Sequence, residues 1–119
     1  MKRERSLLLD KSEAFSARII KMYQYLISVQ HEQIISKQIL RSGTSIGANI
    51  SESRNAQSRA DFINKLNVAL KEADETLYWL KNLNVGGYLK EKEYESINND
   101  AEELVKILVS SLKTLKGIK

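Results

Sequence analysis

An all-α fold, an antiparallel up-and-down four-helix bundle, is predicted by three observations. The chain of 119 residues has no proline and only five glycines, so nothing interrupts long helices over most of its length. Four stretches place apolar residues at alternating steps of three and four, which is one face of a helix. The polar links between those stretches are short, which makes consecutive helices antiparallel neighbours.

The first helix is expected over about 12–29, with Ser12 as its N-cap and Phe15, Ile19, Met22, Leu26 and Val29 along the core face. The second is expected over about 32–53, where Ile35, Ile39, Ile46 and Ile50 share a face and Gly43 fills the gap. The third, about 58–83, begins at a capping pair of Ser58 and Asp61, the aspartate standing in for the usual longer acid. Its face reads Phe62, Leu66, Ala69, Ala73, Leu77 and Leu80. The fourth, about 90–115, has the most regular face: Tyr94, Ile97, Ala101, Leu104, Leu108, Ser111 and Leu115. Gly86 and Gly87 suit a left-handed cap between the last two helices, and the tail after Leu115 is expected to fray. All of residues 1–119 are expected to form one domain, since two of half this length would each be marginal.

Composition narrows the function. There is no cysteine, which excludes disulfides, thiolate metal sites and cysteine nucleophiles and agrees with a cytoplasmic setting. The three leucines after the basic start are cut off by Asp10, Lys11 and Glu13, too early for a secretory core, and no uncharged apolar run approaches about 18 residues, so no membrane partner is expected. The net charge of +4 is uneven: residues 1–59 hold 10 Lys/Arg against 5 Asp/Glu, and residues 60–119 hold 9 against 10. A basic first half permits contact with phosphates.

The stretch from Arg41 to Ser53 is the least ordinary part of the chain. Gly43 and Gly47 lie inside the second helix, where each costs about 1 kcal/mol relative to alanine, and close helix approach is the expected compensation. Gln38, Ser42, Ser45, Asn49 and Glu52 form a polar stripe beside the isoleucine face. Half-buried polar groups need partners, so the stripe is expected to bond to a neighbouring helix or to backbone carbonyls, with Glu72 on the third helix as a candidate partner, and to fix helix register. Lys11, Arg18 and Tyr25 lie seven apart along one edge of the first helix with Lys21 nearby, and Arg41, Arg54 and Arg59 follow in and after the second. These seven are the candidates for nucleic-acid contact, cations with an aromatic among them; a wetted bundle edge is the alternative.

Catalytic signals are missing. His31 is the only histidine and sits in a connection, no pair of Glu-x-x-His segments supports a di-iron bundle, and neither a phosphate-cradling glycine loop nor a nucleophile elbow occurs. Glu72 and Glu75 beside Trp79 lack a recognisable partner for acid–base work. No enzyme, cofactor, metal or small-molecule substrate is therefore expected.

The RSGTSIGANISE block, the DFINKLNVALKEADET block and Trp79 with Leu80, followed by a GGYL turn and a fourth amphipathic helix, resemble the bacterial proteins encoded in intervening sequences of 23S ribosomal RNA genes. The resemblance covers most of residues 15–115. It implies an up-and-down bundle that assembles into homopentamers, with relatives that include the accessory protein of diversity-generating retroelements, a basic pentamer that contacts nucleic acid and a reverse transcriptase. The matching positions, Arg41, Ser42, Gly47, Asn49, Glu52, Phe62, Leu70, Glu72 and Glu75, are read as determinants of fold and assembly. The expected function is thus a bacterial, cytoplasmic, non-enzymatic oligomer that binds RNA or DNA through its basic first half; the rival is a protein-interaction scaffold that binds no nucleic acid.

Overall fold

The structure, a computed structural model, describes the backbone of residues 2–117 and the side chains of residues 7–117. Four helices follow in order: α1 (Lys2–Ser28), α2 (Ile35–Ser53), α3 (Arg59–Val85) and α4 (Glu91–Leu115). Each packs on its neighbours in sequence and α4 closes on α1, while α1 and α3, and α2 and α4, stand across the core from each other. The side-chain pairs between helices run in opposite directions along each partner. Arg41 meets Glu72 and Glu52 meets Lys65 across α2 and α3; Lys11 meets Glu103 and Arg18 meets Asp100 across α1 and α4. The helices are therefore antiparallel, as their short connections require.

One apolar core runs the length of the bundle. Phe15, Ile19 and Leu26 of α1, Ile39, Ile46 and Ile50 of α2, Leu66, Leu80 and Leu83 of α3 and Leu104 and Leu108 of α4 are all buried in it. No helix among the described residues is long and apolar enough to cross a membrane.

The start of α1 corrects the sequence reading. Ser12 is not a cap: it is fully buried within the helix and its hydroxyl donates to the Leu9 carbonyl at 2.9 Å. Nothing before it breaks a helix, and the added turns bury Leu8 to 2 % exposure. Ser12 is instead a small residue where α1 packs against Gly47 of α2; a Cβ built on Gly47 would lie 3.5 Å from both the Ser12 carbonyl and its hydroxyl. Gly43 faces Ile19 still more tightly, its hypothetical Cβ 2.8 Å from Cγ1. Both glycines thus serve close approach to α1, the gain that offsets their poor helix propensity.

The first reversal is also different from expectation. α1 ends at Ser28, and Val29, expected on the core face, is 59 % exposed. The chain turns at His31, whose φ of 55° is left-handed, a conformation histidine adopts more readily than most non-glycine residues. α2 then begins at Ile35 and not at Glu32. Glu32 lies ahead of the helix and its carboxylate accepts from the backbone N–H groups of Ile34, Ile35 and Ser36, at 3.1, 3.0 and 2.6 Å. It satisfies donors that the first turn leaves without intrahelical partners.

The other ends follow the sequence. Ser58 caps α3 by accepting from the Asp61 N–H at 3.0 Å, and Asp61 accepts in return from the Gln57 N–H. α3 closes at Gly86 and Gly87, the latter at φ 78°, with the Tyr88 N–H donating back to the Leu83 carbonyl. α4 ends at Leu115 as expected, with Lys116 as its C-cap and Gly117 at φ 71°; Ile118 and Lys119 of the expected fraying tail lie outside the described residues.

Candidate functional site

α1 and α4 form the slightest of the four neighbouring helix contacts, and a groove of about 370 Å³ opens where their seam meets the α3–α4 connection. Arg18, Lys21, Met22 and Tyr25 line it from α1, Leu89 and Lys90 from the connection, and Glu93 and Ile97 from α4. Ile97 is buried and Met22, Tyr25 and Leu89 are half-buried, so the depth is apolar; Lys21, Lys90 and Glu93 are exposed and form the rim. The ring of Tyr25 is held at its tip by the Gln30 side chain, whose Nε2 donates to the phenolic oxygen at 2.7 Å.

Three of the seven sequence candidates, Arg18, Lys21 and Tyr25, thus come together, and the structure adds Lys90. The other four are dispersed. Lys11 lies farther along the α1–α4 seam, paired with Glu103 at 3.2 Å. Arg41 sits on the opposite side of the bundle between the carboxylates of Glu72, at 3.1 Å, and Glu75. Arg59 donates to the Leu115 carbonyl at the far end of α4, and Arg54 is exposed at the end of α2. Arg18 also has an internal partner, Asp100 at 2.8 Å. Among the described residues, Lys21, Arg54 and Lys90 make no ion pair.

The polar stripe of α2 resolves into distinct contacts. Ser42 is fully buried and bonded to the Thr76 hydroxyl of α3 at 2.9 Å. Ser45 donates to the Arg41 carbonyl and Asn49 to the Ser45 carbonyl, both within the helix. Gln38 and Glu52 are exposed, and Glu52 takes the Lys65 ammonium at 2.9 Å. Thr76 and Lys65, and not Glu72, are therefore the stripe's partners on α3. Glu72 serves Arg41, beside Glu75, which also accepts from the Trp79 indole N–H at 2.9 Å. Those two donors, Trp79 first and Arg41 second, hold the Glu75 carboxyl below the usual carboxylate range. It is kept charged and engaged, the opposite of what a general acid requires, and neither glutamate lines the groove.

Sequence reasoning missed Met22 as a lining residue, since it reads simply as core, and missed Leu89, Lys90, Glu93 and Ile97 because their relation to α1 exists only once the bundle closes. The seven-residue spacing of Arg18 and Tyr25 was the available signal on α1. Lys90, at the predicted start of the fourth helix, carried no comparable pattern.

No functionally curated protein matches the chain. Among solved structures it is similar to a protein of unknown function from the S23 ribosomal protein family of Bacteroides thetaiotaomicron, with 56 % identity over 92 % of this chain and 98 % of that one, and a TM-score of 0.91. The family model described as 23S rRNA-intervening sequence protein matches residues 4–110. With nearly the whole bundle inside that match, the chain belongs to the 23S rRNA-intervening sequence protein family.

Proposed function

We propose that the chain is a non-catalytic, self-associating module of the cytoplasm that holds RNA or DNA at the α1–α4 edge. One observation carries the reading: Arg18, Lys21 and Tyr25 of α1 meet Lys90 around a single groove. Cations with an adjacent aromatic are what phosphates and bases together call for. The reference to 23S rRNA in the family description makes RNA the first nucleic acid to test. Filter binding across a salt series tests the reading. Salt-dependent affinity for structured RNA above that for heparin is expected, and affinity no better than heparin's, or no salt dependence, removes it.

Self-association, as the homopentamer the resemblance implies, is supported by apolar side chains left at one end of the bundle. Ile34, in the α1–α2 connection, is 78 % exposed and Val85, at the end of α3, is 79 % exposed. Antiparallel order puts both at the same end. A monomer by light scattering at tens of micromolar would remove this part. The same residues favour the second reading, a scaffold for another protein, and co-purification that survives nuclease treatment separates it from the first.

A further inference from the structure

We infer that the groove between α1 and α4 seats one unpaired nucleobase, so that the nucleic acid it holds is single-stranded at that point. The inference rests on the nucleic-acid reading of this same groove. A surface that only neutralises phosphates needs charge and no depth. This one has depth, about 370 Å³, and its depth is apolar, with Ile97 buried at the bottom and Met22 and Tyr25 half-buried beside it. A duplex keeps its bases stacked inside and has nothing to place there. An unstacked base presents a flat π-face, for which an apolar slot with a tyrosine ring is the fitting receptor.

The rim completes the match. Lys21 and Lys90 are exposed, make no ion pair among the described residues, and come from opposite walls. They are placed to take the phosphates on either side of the seated base. Glu93, the acid on the lining, repels phosphate and restricts the backbone path to the lysines. The Tyr25 oxygen accepts from the Gln30 side chain, which fixes the ring in place, and stacking on a fixed ring is tolerant of base identity because every base has a π-face.

The test is fluorescence anisotropy on the full chain with three labelled probes of equal length: a single-stranded RNA, the same strand in a duplex, and a fully abasic strand. The single strand is expected to bind about tenfold more tightly than either of the others, the size of effect that stacking on one aromatic supports. Tyr25→Leu is expected to lower single-strand affinity about tenfold and leave duplex affinity unchanged, while Tyr25→Phe retains wild-type binding. Should Tyr25→Leu fail to fold, Leu89→Trp, which fills the groove from the connection, is expected to give the same selective loss. Equal affinity for all three probes, with salt dependence intact, overturns the base seat and leaves the nucleic-acid reading standing. Failure of every probe to bind removes that reading and the inference with it.

Discussion

The hydroxyl oxygens of Ser42 and Thr76 lie 2.9 Å apart, and both side chains are fully buried between α2 and α3. Thr76 also contacts the Glu72 carbonyl at 2.8 Å. Each hydroxyl has one proton, so when Thr76 donates to the carbonyl, Ser42 supplies the proton between the two hydroxyls. The pair is unequal. Thr76→Val keeps the shape but leaves Ser42 without its partner on α3, and is expected to cost about 1–3 kcal/mol in urea unfolding. Ser42→Ala leaves Thr76 bonded to Glu72 and should cost about 0.5–1.5 kcal/mol. The double variant is expected to be more stable than the sum of the two losses indicates, and strict additivity would show that the hydroxyls are not coupled.

The two glycines of α2 should respond differently to alanine. At Gly43 the new methyl meets Ile19 Cγ1 at 2.8 Å and Cγ2 at 3.0 Å, inside a packed core that yields only with strain. Against a helix-propensity gain of about 1 kcal/mol, a net loss of about 1–2 kcal/mol is expected. At Gly47 the nearest atom is the Ser16 hydroxyl at 3.3 Å, on a half-buried side chain that can rotate. Gly47→Ala is expected within about 0.5 kcal/mol of wild type, because propensity and crowding nearly cancel. Thermal unfolding of both variants checks the order.

Glu32 sets an acid limit on stability. Burial of its carboxylate opposes ionisation, but the N–H groups of Ile35, Ser36 and Ile34 outweigh that, and its pKa is lowered. A group with a depressed folded pKa contributes fully above the unfolded value, about 4.3 for glutamate, and loses that contribution as pH falls through the folded one. Glu32→Gln is expected to be less stable than wild type at pH 7 by about 1–2 kcal/mol, the scale of a lost N-terminal cap. The difference should narrow below about pH 4. Urea midpoints measured from pH 7 to pH 3 test it, and a constant difference would place the loss outside the carboxylate's charge.

Breaking the pair between Arg18 and Asp100 should move binding and not stability. Both side chains are more than a third exposed, so Asp100→Asn is expected to cost less than about 1 kcal/mol. It leaves the Arg18 guanidinium without its carboxylate at the groove, and affinity for RNA is expected to rise a few-fold. Arg18→Ala should lower it. Equal binding by both variants would show that Arg18 serves only the α1–α4 seam.

Legibility in the sequence followed the range of each interaction. The bundle was readable because heptad-like faces and short links are local patterns, and the Ser58 cap and Gly87 turn were readable for the same reason. Ser12 misled because a serine before an amphipathic stretch looks like a cap. Only the packing of α1 against Gly47 shows it to be a small contact residue. Glu32 misled in the other direction, read as helix when its carboxylate caps the helix from outside. Three of the eight lining residues of the groove were legible, since Arg18, Lys21 and Tyr25 share one helix. Lys90 and Ile97 belong to it only through the closure of α4 on α1, a relation between residues about 70 positions apart for which no local pattern exists.

The most direct measurement is the salt dependence of RNA binding by wild type and by Lys21→Ala/Lys90→Ala, with Lys71→Ala/Lys81→Ala on the outer face of α3 as the control. If the rim lysines hold phosphates, the slope of log affinity against log salt should fall by about 0.7 per lysine for a single strand, or about 1.4 for the groove variant, with no change in the control. Equal slopes for wild type and both variants, or the larger fall in the α3 control, would contradict a nucleic-acid site in the α1–α4 groove.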